Sequence, residues 1–119
     1  TCARWRPCAR CAAAARAREL GLAHGMLGGS DKLARCEALA AQLGLAPAAC
    51  AFMGDDLPDL PVLTRCGFAA AVPEAPEPVR ARVHYVSRTP GGRGAAREVC
   101  DLILRAQGAL DAAVARYLA

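Results

Sequence analysis

CAFMGDDLPDLP, at residues 50–61, is the segment from which both the fold class and a candidate site are predicted. Its apolar start predicts a short buried strand over residues 50–53, which the acidic turn at residues 54–56 brings to an end. A helix is predicted to follow, with Asp59 placed to cap its N-terminus and Gly67 as its stop. The segment therefore reads as a strand, an acidic turn and a helix.

The same alternation continues on both sides of this segment. Strands are predicted at residues 22–27, 68–72 and 83–86, helices at 12–21, 32–43, 95–106 and 110–118, and loops at 73–78 and 90–94. Because the predicted strands are short and wholly apolar, they indicate an α/β fold with a parallel sheet covered on both faces. Ligands bind beyond the carboxyl ends of the strands in such sheets, so a site is expected at residues 54–56.

Asp55 and Asp56 are the first candidate site residues. Two adjacent carboxylates repel each other unless a cation or hydrogen bonds satisfy them, and hard oxygen ligands at a strand end suit Mg²⁺. The alternative is that both are ordinary turn residues after a strand, and the local sequence leaves both interpretations open. For Asp59, capping of the following helix is favoured over a role in metal binding.

Lys32 is the other candidate. It is the only lysine in a chain whose Lys and Arg residues number 15. It opens the helix predicted at residues 32–43, at the end where the helix dipole disfavours a cation. We therefore expect Lys32 to face an anion, and the alternative is an exposed helix lysine with no special role.

The composition gives little support to a nucleic-acid or membrane partner. The formal net charge is +4, but the arginines are scattered, and heavy use of Ala, Arg, Gly and Pro is typical of GC-rich coding sequences. Aromatic residues make up only 4% of the chain, which disfavours folds that stack bases. No apolar run approaches the ~18 residues of a membrane helix. Neither partner is expected.

The seven cysteines are expected to be reduced thiols. Cys8 and Cys11 form one Cys-x-x-Cys pair, and no second closely spaced Cys/His pair completes a four-ligand zinc site. Most of the others stand alone at apolar positions, where cysteine behaves as a small hydrophobic residue. Reduced cysteines are typical of the cytoplasm. The role of the Cys8–Cys11 pair stays open.

Three segments together resemble one family. They are GGSDK at residues 28–32, GDDLPDLPV at 54–62 and GGRGAAREVCDLI at 91–103. The chain resembles, over about residues 12–111, the 3-deoxy-D-manno-octulosonate 8-phosphate (KDO 8-phosphate) phosphatases of the haloacid dehalogenase (HAD) superfamily. The resemblance implies a Rossmann-like three-layer fold and a cytoplasmic, Mg²⁺-dependent phosphatase of lipopolysaccharide biosynthesis. It also implies a phosphorylated sugar acid as substrate and a homotetramer.

The resemblance also implies roles for individual residues. Lys32 is similar to the superfamily's catalytic cation, which balances charge on the nucleophile and the transferred phosphoryl group. Asp55 is similar to its Mg²⁺ ligand, with Asp56 in support, and Asp59 matches an acidic position whose role is less defined. Gly91, Gly92 and Arg93 are similar to a loop that lies near the active site and shapes it.

The sequence departs from the family at its start. The family's nucleophile belongs to an Asp-x-Asp pair after the first strand, and no Asp-x-Asp precedes Lys32. We therefore expect an incomplete fold without the first strand, in which residues 1–11 are a divergent or mistranslated lead and 12–119 a partial phosphatase domain. Such a fragment is expected to be inactive alone. The alternatives are a HAD phosphatase for another sugar or small-metabolite phosphate, and a non-catalytic remnant with a role in oligomerisation.

Overall fold

The computed structural model describes residues 9–26 and 29–119, which fall into two compact units, residues 1–31 and 32–119. In the first unit, helix α1 (Ala9–Glu19) begins three residues before the predicted start and is followed by a turn at Gly21, where φ is +66°. The strand predicted at residues 22–27 is wrong for residues 22–26, which are exposed and have no strand partner among the described residues; Leu27 lies outside them.

The second unit contains the remaining helices and strands of the described residues. In chain order they are α2 (Lys32–Gln42), β1 (Ala51–Gly54), α3 (Leu60–Leu63), β2 (Phe68–Ala71), α4 (Glu77–Arg80), β3 (Tyr85–Val86), α5 (Ala95–Ala106) and α6 (Leu110–Ala115). Short 3-10 turns at Pro47–Ala49 and Leu57–Asp59 flank β1. The predicted α/β alternation is confirmed in this unit.

The strands form one parallel sheet in the order β1-β2-β3. Gly54 of β1 lies opposite Ala71 of β2, and Ala71 lies opposite Val86 of β3. All three strands therefore end at the same edge of the sheet, and the loops that leave them meet there. The predicted parallel sheet is confirmed.

The core is built on β2. Ala69, Ala70 and Ala71 are completely buried, and because successive residues of a strand point to opposite faces, both faces of the sheet are covered. Leu63 of α3 and Val79 of α4 are the largest fully buried side chains. The alanines are small, so the covering elements lie close to the sheet.

Several predicted boundaries differ from the structure. The loop predicted at residues 73–78 is wrong at its end, because α4 begins at Glu77; Pro78 lies in its first turn, where a missing N–H costs nothing. Strand β3 is two residues shorter than predicted. Just before it, the His84 Nδ1 accepts a hydrogen bond from the Ala69 N–H at 2.8 Å, and the imidazole stacks on Phe68.

The last helix is also shorter than predicted, since α6 ends at Ala115 and Tyr117 is exposed. By contrast, α5 has the predicted bounds, and α2 differs by one residue at its end. Among the described residues, no helix has the length and apolar character required to cross a membrane.

Candidate active site

The candidate site lies at the edge of the sheet where the strands end. Gly54 is the last residue of β1, and the exposed residues Asp55 and Asp56 follow it directly. The backbone then forms the 3-10 turn Leu57–Asp59, which leads into α3. The acidic turn is therefore at the position that the strand pattern predicted.

The Asp59 carboxylate holds this turn together from inside. Only 2% of Asp59 is exposed, and its Oδ2 accepts hydrogen bonds from the N–H groups of Asp55 at 2.9 Å and Asp56 at 3.2 Å. Asp56 in turn caps the 3-10 turn, accepting from the Leu57 N–H at 2.7 Å. Asp59 occupies the N-cap position of α3, as predicted, but its side chain makes no cap hydrogen bond to that helix. Its oxygens are used by the turn and by a lysine.

That lysine is Lys32, the first residue of α2. Its Nζ lies 2.6 Å from the Asp59 Oδ1, and 45% of the Lys32 side chain is exposed against 3% for Asp59. The structure thus identifies the anion that Lys32 faces. The hydrogen bond to Asp59 raises the pKa of Lys32, against the opposing effect of desolvation.

The same contacts act on Asp59 in the opposite direction. Burial disfavours its charged form, but the hydrogen bonds from Lys32 and from the N–H groups of Asp55 and Asp56 outweigh it, so the pKa of Asp59 is lowered. Both members of the pair are therefore charged at neutral pH. The pair connects the N-terminus of α2 to the acidic turn after β1.

Asp55 and Asp56 have the oxygens that a hard divalent cation prefers. No described residue donates a hydrogen bond to the Asp55 carboxylate, which leaves both of its oxygens available. Within the described ranges, no group of three or more His, Cys, Asp or Glu side chains is arranged to hold a metal ion. This donor set fits Mg²⁺, which takes one or two carboxylates and keeps several waters.

The loop at residues 90–94 follows β3 at the same edge of the sheet. The Gly91 N–H donates to the Glu74 carboxylate at 3.1 and 3.2 Å, which joins this loop to the segment after β2. Gly92 and Gly94 have φ values of +75° and +103°, a region that side chains disfavour. Arg93 between them is exposed, and no described residue bonds to its guanidinium.

The structure thus brings four of the predicted site residues into one connected group: Lys32, Asp55, Asp56 and Asp59. No hydrogen bond of the described residues connects Gly91, Gly92 or Arg93 to that group. Cys8 lies outside the described residues, and the Cys11 side chain is likewise not described. The described thiols of Cys36, Cys50, Cys66 and Cys100 are free.

Sequence reasoning missed the importance of Glu98. Its carboxylate accepts hydrogen bonds from Thr89, Tyr85 and the Arg88 N–H, which lower its pKa to about 2. The only signal in the sequence was its place in the segment at residues 91–103 that resembles the phosphatases. Nothing in that pattern indicates which groups the carboxylate binds.

Comparison with known proteins identifies the family. Residues 24–98 match the family of haloacid dehalogenase-like hydrolases. The 3-deoxy-D-manno-octulosonate 8-phosphate phosphatase of Yersinia pestis is 48% identical over 98 residues, which cover 82% of this chain and 52% of the relative. The chain therefore spans about half the length of this relative.

Solved structures give the same result. One is the 3-deoxy-D-manno-octulosonate 8-phosphate phosphatase of Moraxella catarrhalis, which was solved with magnesium, phosphate and KDO. It is 43% identical to this chain with a TM-score of 0.85, and the match covers 89% of this chain and 61% of that one. A probable YrbI family phosphatase of Pseudomonas syringae is 47% identical, with a TM-score of 0.86 and coverage of 91% and 61%. These matches confirm the resemblance and the predicted fold class. The chain belongs to the haloacid dehalogenase-like hydrolase family.

Proposed function

We propose that this chain supplies the lysine and acidic half of the active site of a Mg²⁺-dependent phosphatase that hydrolyses KDO 8-phosphate. The observation that carries the proposal is the position of Asp59, which bonds Lys32 with one oxygen and the backbone of Asp55 and Asp56 with the other. A cation and an acidic pair are thereby held together at the carboxyl edge of a parallel sheet. Phosphoryl transfer needs both a fixed cation and a site for the metal.

Lys32 is the proposed cation. An ammonium group has three N–H donors, and Asp59 takes one of them, so the others are available to phosphoryl oxygens. The raised pKa of Lys32 keeps it charged at neutral pH. Because nearly half of its side chain is exposed, a ligand at the sheet edge can reach it.

Asp55 is the proposed Mg²⁺ ligand, with Asp56 in support. The bonds from the backbone of both residues to Asp59 fix the turn, while the Asp55 carboxylate receives no bond from a described residue. When bound, Mg²⁺ neutralises charge on the phosphoryl oxygens. The magnesium and phosphate in the Moraxella catarrhalis relative support this assignment.

Gly91, Gly92 and Arg93 are proposed to contact the sugar-acid part of the substrate. The loop is at the same edge of the sheet, and the Arg93 guanidinium suits a carboxylate or a phosphate. The KDO bound to the Moraxella catarrhalis relative supports a sugar acid as the ligand. We further propose a cytoplasmic homotetramer for the complete protein; the free thiols of the described cysteines support the compartment.

The isolated chain is proposed to be inactive. Its 119 residues contain no Asp-x-Asp pair, so no carboxylate is present at the position where the family's phospho-aspartate forms. On this proposal residues 12–119 are a partial phosphatase domain. The half-length coverage of the Yersinia pestis relative supports this proposal.

A phosphate-release assay with KDO 8-phosphate and Mg²⁺ tests the proposal. It is run on this chain and on a version extended upstream in the best coding frame. We expect activity in the extended protein only, with its loss in Lys32→Met and Asp55→Asn variants. Asp111→Asn is the matched control, since Asp111 is exposed and its carboxylate bonds to no described residue.

The other outcomes separate the alternatives. Release from the isolated chain contradicts its proposed inactivity. An extended protein that hydrolyses other sugar phosphates but not KDO 8-phosphate overturns the substrate and keeps the chemistry. Inactivity of the extended protein on all of them favours a non-catalytic role in oligomerisation.

A further inference from the structure

The Glu98 carboxylate has no free capacity for hydrogen bonds. Its Oε1 accepts from the Thr89 N–H at 2.9 Å and the Thr89 hydroxyl at 2.7 Å. Its Oε2 accepts from the Tyr85 hydroxyl at 2.7 Å and the Arg88 N–H at 2.8 Å. A carboxylate offers about four lone-pair positions, so the donors of β3 and the loop after it use all of them. Glu98 is therefore unsuited to act as a metal ligand or as a base.

The backbone that carries Glu98 is firmly held. Ala95 and Val99 of the same helix, α5, are 3% and 6% exposed and lie in the core. The Cα of Glu98 is therefore held in place by the packing of α5 against the core. Through its carboxylate, Glu98 in turn fixes the backbone N–H groups of Arg88 and Thr89 relative to that core.

The segment between Thr89 and Ala95 is the loop that presents Arg93. Its entry is held by Glu98 and by a bond from the Ser87 hydroxyl to the Thr89 carbonyl oxygen at 2.8 Å. Gly91 is held by Glu74, and the exit is the buried Ala95. Arg93 itself is tied only to the loop, since its N–H donates to the Pro90 carbonyl oxygen at 3.1 Å and no described residue bonds to its guanidinium.

We infer that Glu98 is a positioning residue, which fixes the base of this loop and thereby sets where the Arg93 guanidinium stands at the sheet edge. The inference rests on the proposed function only in giving Arg93 an anionic ligand. Glu98 acts through Arg88 and Thr89 and touches no ligand itself. Its charge is essential to this role, because an ionised carboxylate accepts hydrogen bonds from donors on every side.

Glu98→Gln is the decisive variant. It preserves the size of the side chain but replaces one oxygen, which accepts two hydrogen bonds, by an NH₂ group. That group is itself a donor and cannot accept those hydrogen bonds. Glu77→Gln is the matched control, because Glu77 is exposed and bonds to no other described side chain. Both variants are compared with the unmodified chain by NMR.

The first measurement is amide hydrogen exchange. We expect the Arg88 and Thr89 N–H groups of the unmodified chain to exchange at least about ten-fold more slowly than that of Gly92, and Glu98→Gln to remove this protection. Glu77→Gln retains it. Unchanged protection in Glu98→Gln overturns the inference. Should that variant fail to fold, Thr89→Val removes only the hydroxyl donor to the Glu98 Oε1, and we expect the N–H groups of residues 88 and 89 to exchange about three-fold faster than in the unmodified chain.

The second measurement is the shift of the Arg93 Nε–H signal on addition of inorganic phosphate. A purely structural residue would leave this response intact, whereas we expect Glu98→Gln to reduce it at least about five-fold. An unchanged response contradicts the positioning role. If the unmodified chain shows no response, the proposed role of Arg93 is wrong, and the exchange of Arg88 and Thr89 still decides the role of Glu98.

Discussion

Gly54 lies so close to Asp59 that a methyl group on its Cα would come within 2.6 Å of the Asp59 Cβ. The last residue of β1 and the acid that organises the turn are therefore in direct backbone-to-side-chain contact. The glycine is required by this approach and not by its backbone angles. Any side chain at residue 54 would displace the carboxylate that binds Lys32.

Gly54→Ala is accordingly expected to destabilise the chain by about 1–3 kcal/mol, the usual cost of an overpacked position. Urea unfolding measures the change. Gly25→Ala is the control, because a Cβ there meets nothing within 4 Å. Equal stabilities of the two variants would show that the turn relaxes freely around residue 54.

The Lys32–Asp59 pair predicts a change of stability with pH. The pKa of Asp59 is lower in the folded chain than in the unfolded chain, so its ionised form stabilises the fold. This stabilisation is fully present above the unfolded pKa of about 4 and is lost as the pH falls through the lower folded pKa. Thermal unfolding between about pH 2 and 7 measures this. Asp59→Asn should reduce the loss of stability at low pH relative to the unmodified chain, whereas Asp111→Asn should leave that loss unchanged.

Removing Lys32 alone tests the same pair from the other side. Lys32→Met leaves a buried carboxylate without its cation, but the lysine is 45% exposed and water screens the pair. We expect a loss of about 1–2 kcal/mol in urea unfolding at pH 7, below the cost of breaking a fully buried pair. A Lys32→Met variant as stable as the unmodified chain would mean that the two backbone N–H groups satisfy Asp59 by themselves.

The core gives a prediction with a closely matched control. Leu63 is 1% exposed, while Leu57 in the 3-10 turn is 50% exposed. Leu63→Ala should cost about 2–5 kcal/mol and Leu57→Ala less than about 1 kcal/mol. Urea unfolding compares them, and similar losses would place Leu57 in a buried environment.

Thiol reactivity gives a prediction for the cysteines. Burial raises the pKa of the Cys36 and Cys66 thiols, which lowers the fraction of reactive thiolate, whereas Cys100 is exposed. Iodoacetamide at about pH 7.5 should therefore label Cys100 before Cys36 and Cys66, as peptide mass spectrometry would show. Faster labelling of Cys36 or Cys66 would contradict the burial of these thiols.

Much of the fold could be predicted from local patterns. The run of apolar residues before Gly54 placed β1 within one residue of its observed bounds, and the clear periodicity of residues 95–106 placed α5 at its observed bounds. The strand prediction failed over residues 22–26 because an apolar run becomes a strand only beside a partner, and the described residues offer it none. Helix α4 was missed because prolines are typical of loops as well as of helix N-termini. Pro76 lies just before this helix and Pro78 lies in its first turn.

The candidate site was predictable only in part. Asp55, Asp56 and Lys32 could be singled out from their positions, but the bond between Lys32 and Asp59 joins residues 27 positions apart. Local sequence cannot contain such a pairing, and it favoured the nearer role of a helix cap for Asp59. The bonds of Glu98 to Tyr85 and Thr89 depend in the same way on how α5 lies against β3.

The buried alanines of β2 set a limit on how this domain can vary. Ala69, Ala70 and Ala71 supply little cohesion themselves, and act as a spacer that sets how near the covering elements stand to the sheet. A larger residue at any of them would thicken the domain on one side and move the loops that leave the sheet. Sequence change is therefore easiest on the outer surfaces of α5 and α6. The small residues of the middle strand, by contrast, set the spacing of the elements that form the edge where the candidate site lies.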